Sequence, residues 1–463
     1  MQAEVASELA AEGALGISGP NDSTSVDPIP PNGGYGWVCT LSVFLVNAHT
    51  WGINSSWAVI MAHLSLHSNH INATRHQWAL VGGLSISQAL IISPVVIPLS
   101  RAIGMRMTLV IGSILIFVSL LAASFATQIW HLYLSQGACF GWGMGLTYIT
   151  ASAALPPWFS TRRSLAVGLS TSGAGFGGLV YSLAADSAIE HFDVAWAYRI
   201  LAICSLAANS TASALIKETG GRAQTETNQL SFKLRDLGRV EVLIVVFWGV
   251  ATDLGYITLL YSIPSYASSI GLTPTQGSIA NAMLNLGLGI GRPFIGYISD
   301  ALGRINMALA MTALCTILCF GMWVPAPSFG ALAAFSLLAG PLCGTFWATI
   351  TPVLVEIVGL QKMASTFSII CLSLVLPTMF AESAAMQLVA SDPDDAKAGS
   401  YIKTQIFVGC MFLAGTISLW LLRAWKVFAT EREMSLDEEL NMKKSRARVS
   451  WFTPALLFRS RCV

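Results

Sequence analysis

The chain has 463 residues, of which 54% are hydrophobic and 11% charged, with a mean hydropathy of +0.64 and a formal net charge of +1. Soluble globular proteins carry about 25% charged residues, so this composition predicts an integral membrane protein. The near-neutral charge excludes the basic footprint of a nucleic-acid-binding protein. The nine cysteines form no CxxC pair, which argues against a disulfide framework or a zinc site.

The first predicted element is a disordered cytoplasmic tail over 1–35. This segment is rich in Glu, Ser, Asn, Gly and Pro and poor in large apolar side chains. It has no basic stretch followed by a cleavable apolar stretch, so no signal peptide is expected.

Twelve apolar segments follow, each close to the roughly 20 residues that a helix needs to cross about 30 Å of hydrocarbon. They are predicted over 37–62, 78–99, 107–126, 130–155, 164–185, 196–216, 240–262, 277–299, 306–324, 329–355, 364–390 and 403–425. We therefore predict an all-α integral membrane fold with an N-terminal six-helix half (36–216) and a C-terminal six-helix half (240–425). A polar cytoplasmic linker (217–239) joins the halves, and a cytoplasmic tail (426–463) ends the chain.

Lysine and arginine residues set the expected orientation, because short cytoplasmic loops carry an excess of both. With the N-terminus inside, the predicted cytoplasmic segments hold thirteen of them and the outside loops hold three. Both termini are therefore predicted to be cytoplasmic. The plasma membrane is the expected location of this multi-pass protein, with the vacuolar membrane as the alternative.

Two short basic turns occur at the same place in the two halves. PLSRAIGMR (Pro98 to Arg106) follows the second predicted helix, and YISDALGR (Tyr297 to Arg304) follows the eighth. Six plus six helices around a long polar link, with such paired turns, are typical of a transporter built from two repeats.

The second turn lies in GYISDALGR, which resembles the G-x-x-x-D-x-x-G-R signature of the major facilitator superfamily. Gly296, Asp300, Gly303 and Arg304 carry the pattern. The glycines permit close helix approach and a tight turn. The Asp and the Arg can pair with the backbone ends of neighbouring helices and so favour one conformation. The resemblance implies the major facilitator fold, with 12 transmembrane helices.

Three further stretches are similar to the monocarboxylate porter family, in the form of its fungal branch. The first is PNGGYGW, with a Gly-Gly-aromatic-Gly-Trp box over 33–37 at the start of helix one. The others are WFSTRRSLAVGLSTSGAGFGG (Trp158 to Gly178) and YSIPSYASSIGLT (Tyr261 to Thr273). The resemblance covers about residues 31–425 and implies a secondary transporter of organic acids.

Arg292 lies in an apolar stretch that begins near Ile279. A charge inside a membrane span is costly and by default marks a functional site. In the animal members of the family, an arginine followed by proline in helix eight binds the substrate carboxylate, and Arg292-Pro293 matches that position. A guanidinium fits a carboxylate bidentately. The alternative is a structural ion pair with Asp253 or Glu382.

Two positions depart from the family pattern. The family has an aspartate one turn before the arginine, where this chain has Leu288, and the animal members have a lysine in helix one, where this chain has Ser55. Both residues handle protons and carboxylate in those relatives, so their absence argues against simple proton–lactate symport. Asp253 and Glu382 are the candidates that could replace the missing acid as proton-coupling residues.

Helix one carries a stripe at i, i+4, i+7, i+8 and i+11, which is one helical face: Asn47, Trp51, Asn54, Ser55 and Ala58. Buried polar groups in a bilayer must line water or find partners. We interpret the stripe as cavity lining, and its first four residues as predicted substrate-binding residues. Hydrogen bonding between helices is the alternative.

A glycine-rich run, GLSTSGAGFGG (Gly168 to Gly178), lies in helix five. Small residues of this kind predict close packing of membrane helices. The run is not a phosphate-binding loop, because no strand precedes it, and the chain has no G-x-x-x-x-G-K-[ST] motif. Energy for transport is therefore expected to come from a gradient or from the substrate itself.

Four histidines fall in the first outside loop: His63, His67, His70 and His76. A solvated loop is the expected environment, and a metal or pH-sensing site is the alternative. Asn72-Ala-Thr74 in the same loop is a sequon, so Asn72 is predicted to be glycosylated.

The predicted function is secondary active transport of an organic anion, most simply a monocarboxylate, by alternating access. The alternative is export of an acidic fungal secondary metabolite. A non-transporting membrane sensor is disfavoured by the short linker and tail. An enzyme is disfavoured because no paired acids or activated nucleophile are present. We expect no cofactor and no metal. The expected partners are a small organic acid, the lipid bilayer and protons; an ancillary subunit is not specified by the sequence.

Overall fold

The computed structural model describes residues 32–66, 71, 73–217, 238–388 and 401–441, all within one structural unit. The described residues are almost entirely helical and contain no β-strand. The α-helices of the first half are α1 (Tyr35–Ala48), α2 (Trp51–Leu66), α3 (Arg75–Ile91), α4 (Ser93–Ile103), α5 (Met105–Ala123), α6 (Ile129–Leu132), α7 (Phe140–Ala154), α8 (Arg163–His191) and α9 (Val194–Leu215). Those of the second half are α10 (Val240–Ser269), α11 (Pro274–Leu302), α12 (Arg304–Leu318), α13 (Phe329–Cys343), α14 (Thr345–Val358), α15 (Leu360–Leu388) and α16 (Ile402–Asn441).

These helices form twelve spans in two six-helix halves, as predicted. Four spans consist of two helices each: span 1 (α1 and α2), span 2 (α3 and α4), span 4 (α6 and α7) and span 10 (α13 and α14). Every other span contains a single α-helix: spans 3, 5, 6, 7, 8, 9, 11 and 12 contain α5, α8, α9, α10, α11, α12, α15 and α16.

Hydropathy differs between the spans for a structural reason. By length and composition, six helices of the described chain could cross a membrane, and the bent pair α3 and α4 would add a seventh span. The other spans are less apolar because they carry small and polar residues on faces inside the protein. The α8 helix, for example, buries Ser170, Thr171 and Ser172.

Span 1 is not the uninterrupted helix predicted over 37–62, because it breaks between α1 and α2. Three side chains next to the break bond backbone carbonyl oxygens four residues earlier: Asn47 to Val43, His49 to Leu45 and Thr50 to Val46. Side-chain bonds of this kind compete with the helical ladder and bend helices. The two helices of span 1 are therefore separated at His49 and Thr50.

Four other predicted helices are also irregular, among them span 9, in which α12 continues as a π-helical segment, Cys319–Trp323. Span 2 bends by 50° between α3 and α4. Span 4 contains a π-helical segment, Tyr133–Cys139, and span 10 is interrupted at Gly344, which follows Pro341 by three residues. Pro341 lies inside α13 and removes a backbone donor there, which weakens the helix just before the interruption.

The two halves meet most closely where spans 5 and 8 pack together. Glycines permit this approach: a β-carbon at Gly168 would collide with the carbonyl oxygen of Arg292, and one at Gly296 would collide with that of Ser164. Spans 2 and 11 make the second long contact between the halves. One hydrophobic core cluster contains residues of both halves, among them Tyr148 and Trp347.

The predicted N-terminal tail, linker and C-terminal tail stay predictions, because the structure does not describe most of their residues. The first 31 residues, most of the linker (218–237) and residues 442–463 lie outside the described part of the chain. The last helix, α16, continues to Asn441, well beyond the predicted end of span 12 at residue 425.

Candidate functional site

A cavity lies between the two halves, with an empty volume of about 630 Å³ that includes space open to solvent. The first half contributes residues from spans 1, 2, 4 and 5, and the second half from spans 7, 8 and 10. The polar and aromatic side chains that line it are Asn47, Trp51, Asn54, Ser55, Tyr148, Thr171, Asp253, Tyr256, Asn285, Arg292 and Trp347. Of the predicted site residues, the cavity thus brings together Arg292, Asp253 and four residues of the helix-one stripe; Ala58 is not among its lining residues.

Arg292 lies in α11 and is only 4% exposed. Its Nη1 donates a hydrogen bond of 2.7 Å to the backbone carbonyl oxygen of Thr171 in span 5, across the boundary between the halves. Its Nε has no hydrogen-bond partner. A β-carbon at Gly344 would lie only 2.7 Å from Nη2. The glycine at the break in span 10 therefore leaves room for the guanidinium. Arg292 is therefore a buried cation with unused hydrogen-bonding capacity.

Asp253 lies in α10 and is 2% exposed. Its Oδ1 accepts a 3.0 Å hydrogen bond from the indole Nε1 of Trp347, whereas its Oδ2 has no partner. No ion pair joins Asp253 to Arg292 in the described structure, although both line the cavity. The described contacts therefore do not support the alternative in which this aspartate is the structural partner of Arg292.

Aromatic residues of both halves form one wall of the cavity. The ring of Trp51 in span 1 lies 5.4 Å from Tyr148 in span 4, edge-on, and 5.7 Å from Trp347 in span 10. Tyr148 and Trp347 are also edge-on to each other, with centroids 6.2 Å apart. These centroid distances are typical of favourable aromatic pairs. The three rings therefore connect the two halves through contacts between uncharged side chains.

The helix-one stripe both lines the cavity and makes hydrogen bonds. Asn54 accepts a 2.8 Å bond from Ser85 of span 2 through its Oδ1, and Ser55 donates to the backbone oxygen of Trp51. Asn47 uses its amide on Val43. Both interpretations of the stripe therefore describe part of what these residues do, and their substrate-binding role stays a prediction.

Several cavity residues are absent from the sequence-based prediction. Asn285 lies seven residues before Arg292 on the same face of α11, so its spacing was a usable signal. Tyr148, Tyr256 and Trp347 offered none, because an aromatic residue in an apolar span is ordinary. Thr171 contributes its backbone oxygen, which no side-chain pattern reveals.

The Gly296–Arg304 motif connects the halves at the end that is predicted to be cytoplasmic. The two carboxylate oxygens of Asp300 accept 3.0 Å hydrogen bonds from the backbone nitrogens of Ser164 and Leu165, in the first turn of α8. Arg304 donates to the carbonyl oxygen of Ser160. Gly303 has a φ of 93°, which favours glycine, between α11 and α12. The motif thus caps a helix of the opposite half.

Some predicted site residues lie outside what the structure describes. Glu382 belongs to α15, but its side chain is not described, and Asn72, His67 and His70 lie outside the residues that the structure describes. Among the described residues, no group of three or more His, Cys, Asp or Glu side chains could hold a metal ion. Proton coupling by Glu382 and glycosylation at Asn72 therefore stay predictions.

Comparison with known proteins identifies the family. The family model of the Major Facilitator Superfamily matches residues 39–382. The chain belongs to the major facilitator superfamily. Because this family and its fold are those of transporters, the chain is a multi-pass membrane transporter, and the prediction that it is not an enzyme is confirmed.

Two known proteins and one solved structure show what the chain is similar to. The probable transporter MCH2 of Saccharomyces cerevisiae is 31% identical, with 94% of each chain covered. Monocarboxylate transporter 13 of Bos taurus is 26% identical, over 72% of this chain and 78% of that one. The proton:xylose symporter XylE, bound to 6-bromo-6-deoxy-D-glucose, superimposes with a TM-score of 0.65 at 16% identity, over 83% of this chain and 95% of that one. The last comparison shows the shared fold alone.

Proposed function

We propose that this major facilitator protein is a secondary active transporter of an organic acid, most simply a monocarboxylate, which binds Arg292 in the cavity between the halves. One observation carries the proposal: a buried guanidinium in the cavity wall has an unpartnered Nε and no acidic partner in the described structure. Burying an ion without a partner costs roughly several kcal/mol of free energy, and an anionic cargo would offset that cost.

Arg292 also suggests how binding is linked to alternating access. Its Nη1 donates to the Thr171 carbonyl oxygen, in the opposite half. A carboxylate is a stronger acceptor than a neutral carbonyl, because the hydrogen bond is charge-assisted at both ends. A carboxylate that engages Nη1 would therefore compete with the Thr171 carbonyl oxygen and weaken one contact between spans 5 and 8.

Transport assays with arginine variants test this proposal. Arg292→Ala should abolish uptake and efflux of labelled monocarboxylates in cells that lack their own porters, while the amount of the protein in the membrane stays unchanged. Arg292→Lys should also be poor, because an ammonium cannot reproduce the bidentate fork. The matched control is Arg199→Lys: Arg199 lies in α9, packs against Phe125 and Trp196, and does not line the cavity. Normal flux by Arg292→Ala would exclude the carboxylate site.

Proton coupling through Asp253 or Glu382 stays a prediction. If either residue carries protons, Asp253→Asn or Glu382→Gln should flatten the pH dependence of uptake between acidic and neutral medium. An unchanged profile in both variants would exclude both candidates.

A second candidate function is export of a larger acidic secondary metabolite. The observation that favours it is the aromatic wall of Trp51, Tyr148 and Trp347 beside Arg292, because aromatic side chains provide extensive apolar contact for a bulky cargo. Efflux from preloaded cells distinguishes the two functions: a bulky aromatic acid should leave faster than a short-chain acid if export is the function.

The plasma membrane, cytoplasmic termini and glycosylation at Asn72 remain part of the proposal. Asn72→Gln should lose a glycosidase-sensitive mass shift if the first loop faces the outside of the cell. A shift that persists in this variant would exclude Asn72 as its source.

A further inference from the structure

The cavity holds two buried ionisable groups of opposite type that are not paired with each other. Arg292 is 4% exposed and Asp253 is 2% exposed, and each has one polar atom without a hydrogen-bond partner, Nε and Oδ2. Both line the same cavity between the halves, Asp253 from α10 and Arg292 from α11.

Neither group has a counter-charge among the side chains that the structure describes. The titratable groups close enough to interact with Arg292 are Tyr148, Tyr256 and Cys343, and none of these is an acid. Tyr148 and Tyr256 also face Asp253, together with Cys371 of span 11, and none of these is a cation. The cavity therefore presents two separate sites for charge, one for an anion and one for a cation.

A simple anion would use only one of these sites. Its carboxylate would satisfy Arg292, but Asp253 would keep an unpartnered oxygen and, when ionised, would repel the cargo. A cargo that also carries a protonated amine would satisfy both groups at once. A buried charge without a partner is strongly unfavourable. A cargo that pairs with both Arg292 and Asp253 should therefore bind more tightly than one that pairs with Arg292 alone.

The surroundings of Asp253 suit a cationic group. The Trp347 indole holds Oδ1 in place with a 3.0 Å hydrogen bond, which leaves Oδ2 free to accept from another donor. The rings of Trp51, Tyr148 and Trp347 lie together on the same cavity. Aromatic faces attract ammonium groups, and most strongly where water is excluded.

We propose that the cargo is a zwitterionic organic acid, whose carboxylate binds Arg292 and whose protonated amine binds Asp253 beside the aromatic wall. This inference rests on the proposed function, because it takes Arg292 as the carboxylate site. It makes Asp253 a cargo-binding residue and leaves Glu382 as the candidate for proton coupling.

Ligand-induced stabilisation of the purified full chain in detergent tests the proposal. The probes are ω-amino acids from glycine to 6-aminohexanoate, each compared with the unsubstituted acid of the same chain length. A ligand that binds only the folded state raises the unfolding midpoint, and at a fixed ligand concentration the rise grows with the logarithm of its affinity. At least one amino acid should bind about ten-fold or more tightly than its unsubstituted counterpart, the equivalent of one charge-assisted hydrogen bond.

Two variants assign the preference to the two groups. Asp253→Asn should remove the preference for the amino acid and keep binding of the unsubstituted acid, while its amide oxygen can still accept from Trp347. Arg292→Ala should lose both ligands. Asp186→Asn is the matched control, because Asp186 is exposed on α8, and it should behave as the wild type.

The outcomes separate this proposal from the proposed function. If the wild type binds every unsubstituted acid as tightly as its amino counterpart, in an Arg292-dependent manner, the zwitterion proposal is wrong and the carboxylate site stands. If Asp253→Asn keeps the preference for the amino acid, Asp253 is not the cation site, and the proposal is also wrong. If no acid of either series binds, both proposals fail. The wild-type comparison decides even where a variant does not fold.

Discussion

At the scale of single residues, the candidate site depends on how a few buried polar groups are satisfied. The Trp347 indole donates to Asp253, the Thr171 carbonyl accepts from Arg292, and Ser85 donates to Asn54. Arg292, Asp253 and the asparagines could be predicted from the sequence because charges and amides are rare in apolar spans. Trp347 and Thr171 could not, since an indole is common in a span and a backbone oxygen leaves no sequence signal.

The hydrogen bond from Trp347 to Asp253 gives the residue-scale prediction. Trp347→Phe keeps a smaller aromatic ring but removes the indole N–H donor. Both carboxyl oxygens of Asp253 would then be buried without a partner. We expect a loss of about 1–3 kcal/mol of stability, measured as a lower unfolding midpoint in detergent. Trp130→Phe is the control, because the Trp130 indole donates to Gln128 at an exposed position. An unchanged midpoint for Trp347→Phe would contradict the role of this hydrogen bond.

At the scale of helices, the number and order of spans follow from hydropathy, but their irregularities do not. The long polar link and the apolar segments were sufficient to predict twelve spans in two halves. The break in span 1 coincides with side chains that bond their own backbone, and both helices of the span pack against α8. The glycines of α8 were predicted to permit close packing, but the sequence does not say that their neighbour is α11.

The contact between α8 and α11 gives the element-scale prediction. A β-carbon at Gly175 would collide with the backbone of Gly289 and would lie 2.7 Å from the carbonyl oxygen of Asn285. Because two backbones cannot yield as a side chain does, Gly175→Ala should separate spans 5 and 8, lower stability by about 1–3 kcal/mol and reduce transport. The control is Gly330→Ala, where an added β-carbon meets nothing within 4 Å. Transport and unfolding midpoints are measured together, and equal behaviour of the two variants would contradict this account of the interface.

At the scale of the whole molecule, the two halves are held together at both the cavity and the motif end. Asp300 of the second half caps α8 of the first half through two backbone N–H groups. An acidic group at a helix N-terminus is favoured by the unpaired donors and by the helix dipole. In the proposed alternating-access cycle, this contact would have to break.

The whole-molecule prediction concerns this cap. Asp300→Ala removes the acceptor for the Ser164 and Leu165 amides, so hydrogen exchange in the first turn of α8 should accelerate about ten-fold or more, as expected for the loss of charge-assisted bonds. Hydrogen-exchange mass spectrometry of peptides over 160–168 measures the effect. Asp186→Ala, on the exposed side of the same helix, is the control. Equal exchange in both variants would show that Asp300 does not hold the halves together.

The central claim is that Arg292 binds the carboxylate of the cargo in a cavity that opens to both sides of the membrane in turn. Counterflow in proteoliposomes tests it most directly, because exchange at equal pH needs neither a proton gradient nor knowledge of the transport direction. Vesicles preloaded with an unlabelled carboxylic acid, with or without an amino group, should transiently accumulate the labelled acid through the wild type and through Arg199→Lys. They should not do so through Arg292→Ala. Equal counterflow through Arg292→Ala and the wild type would contradict the account.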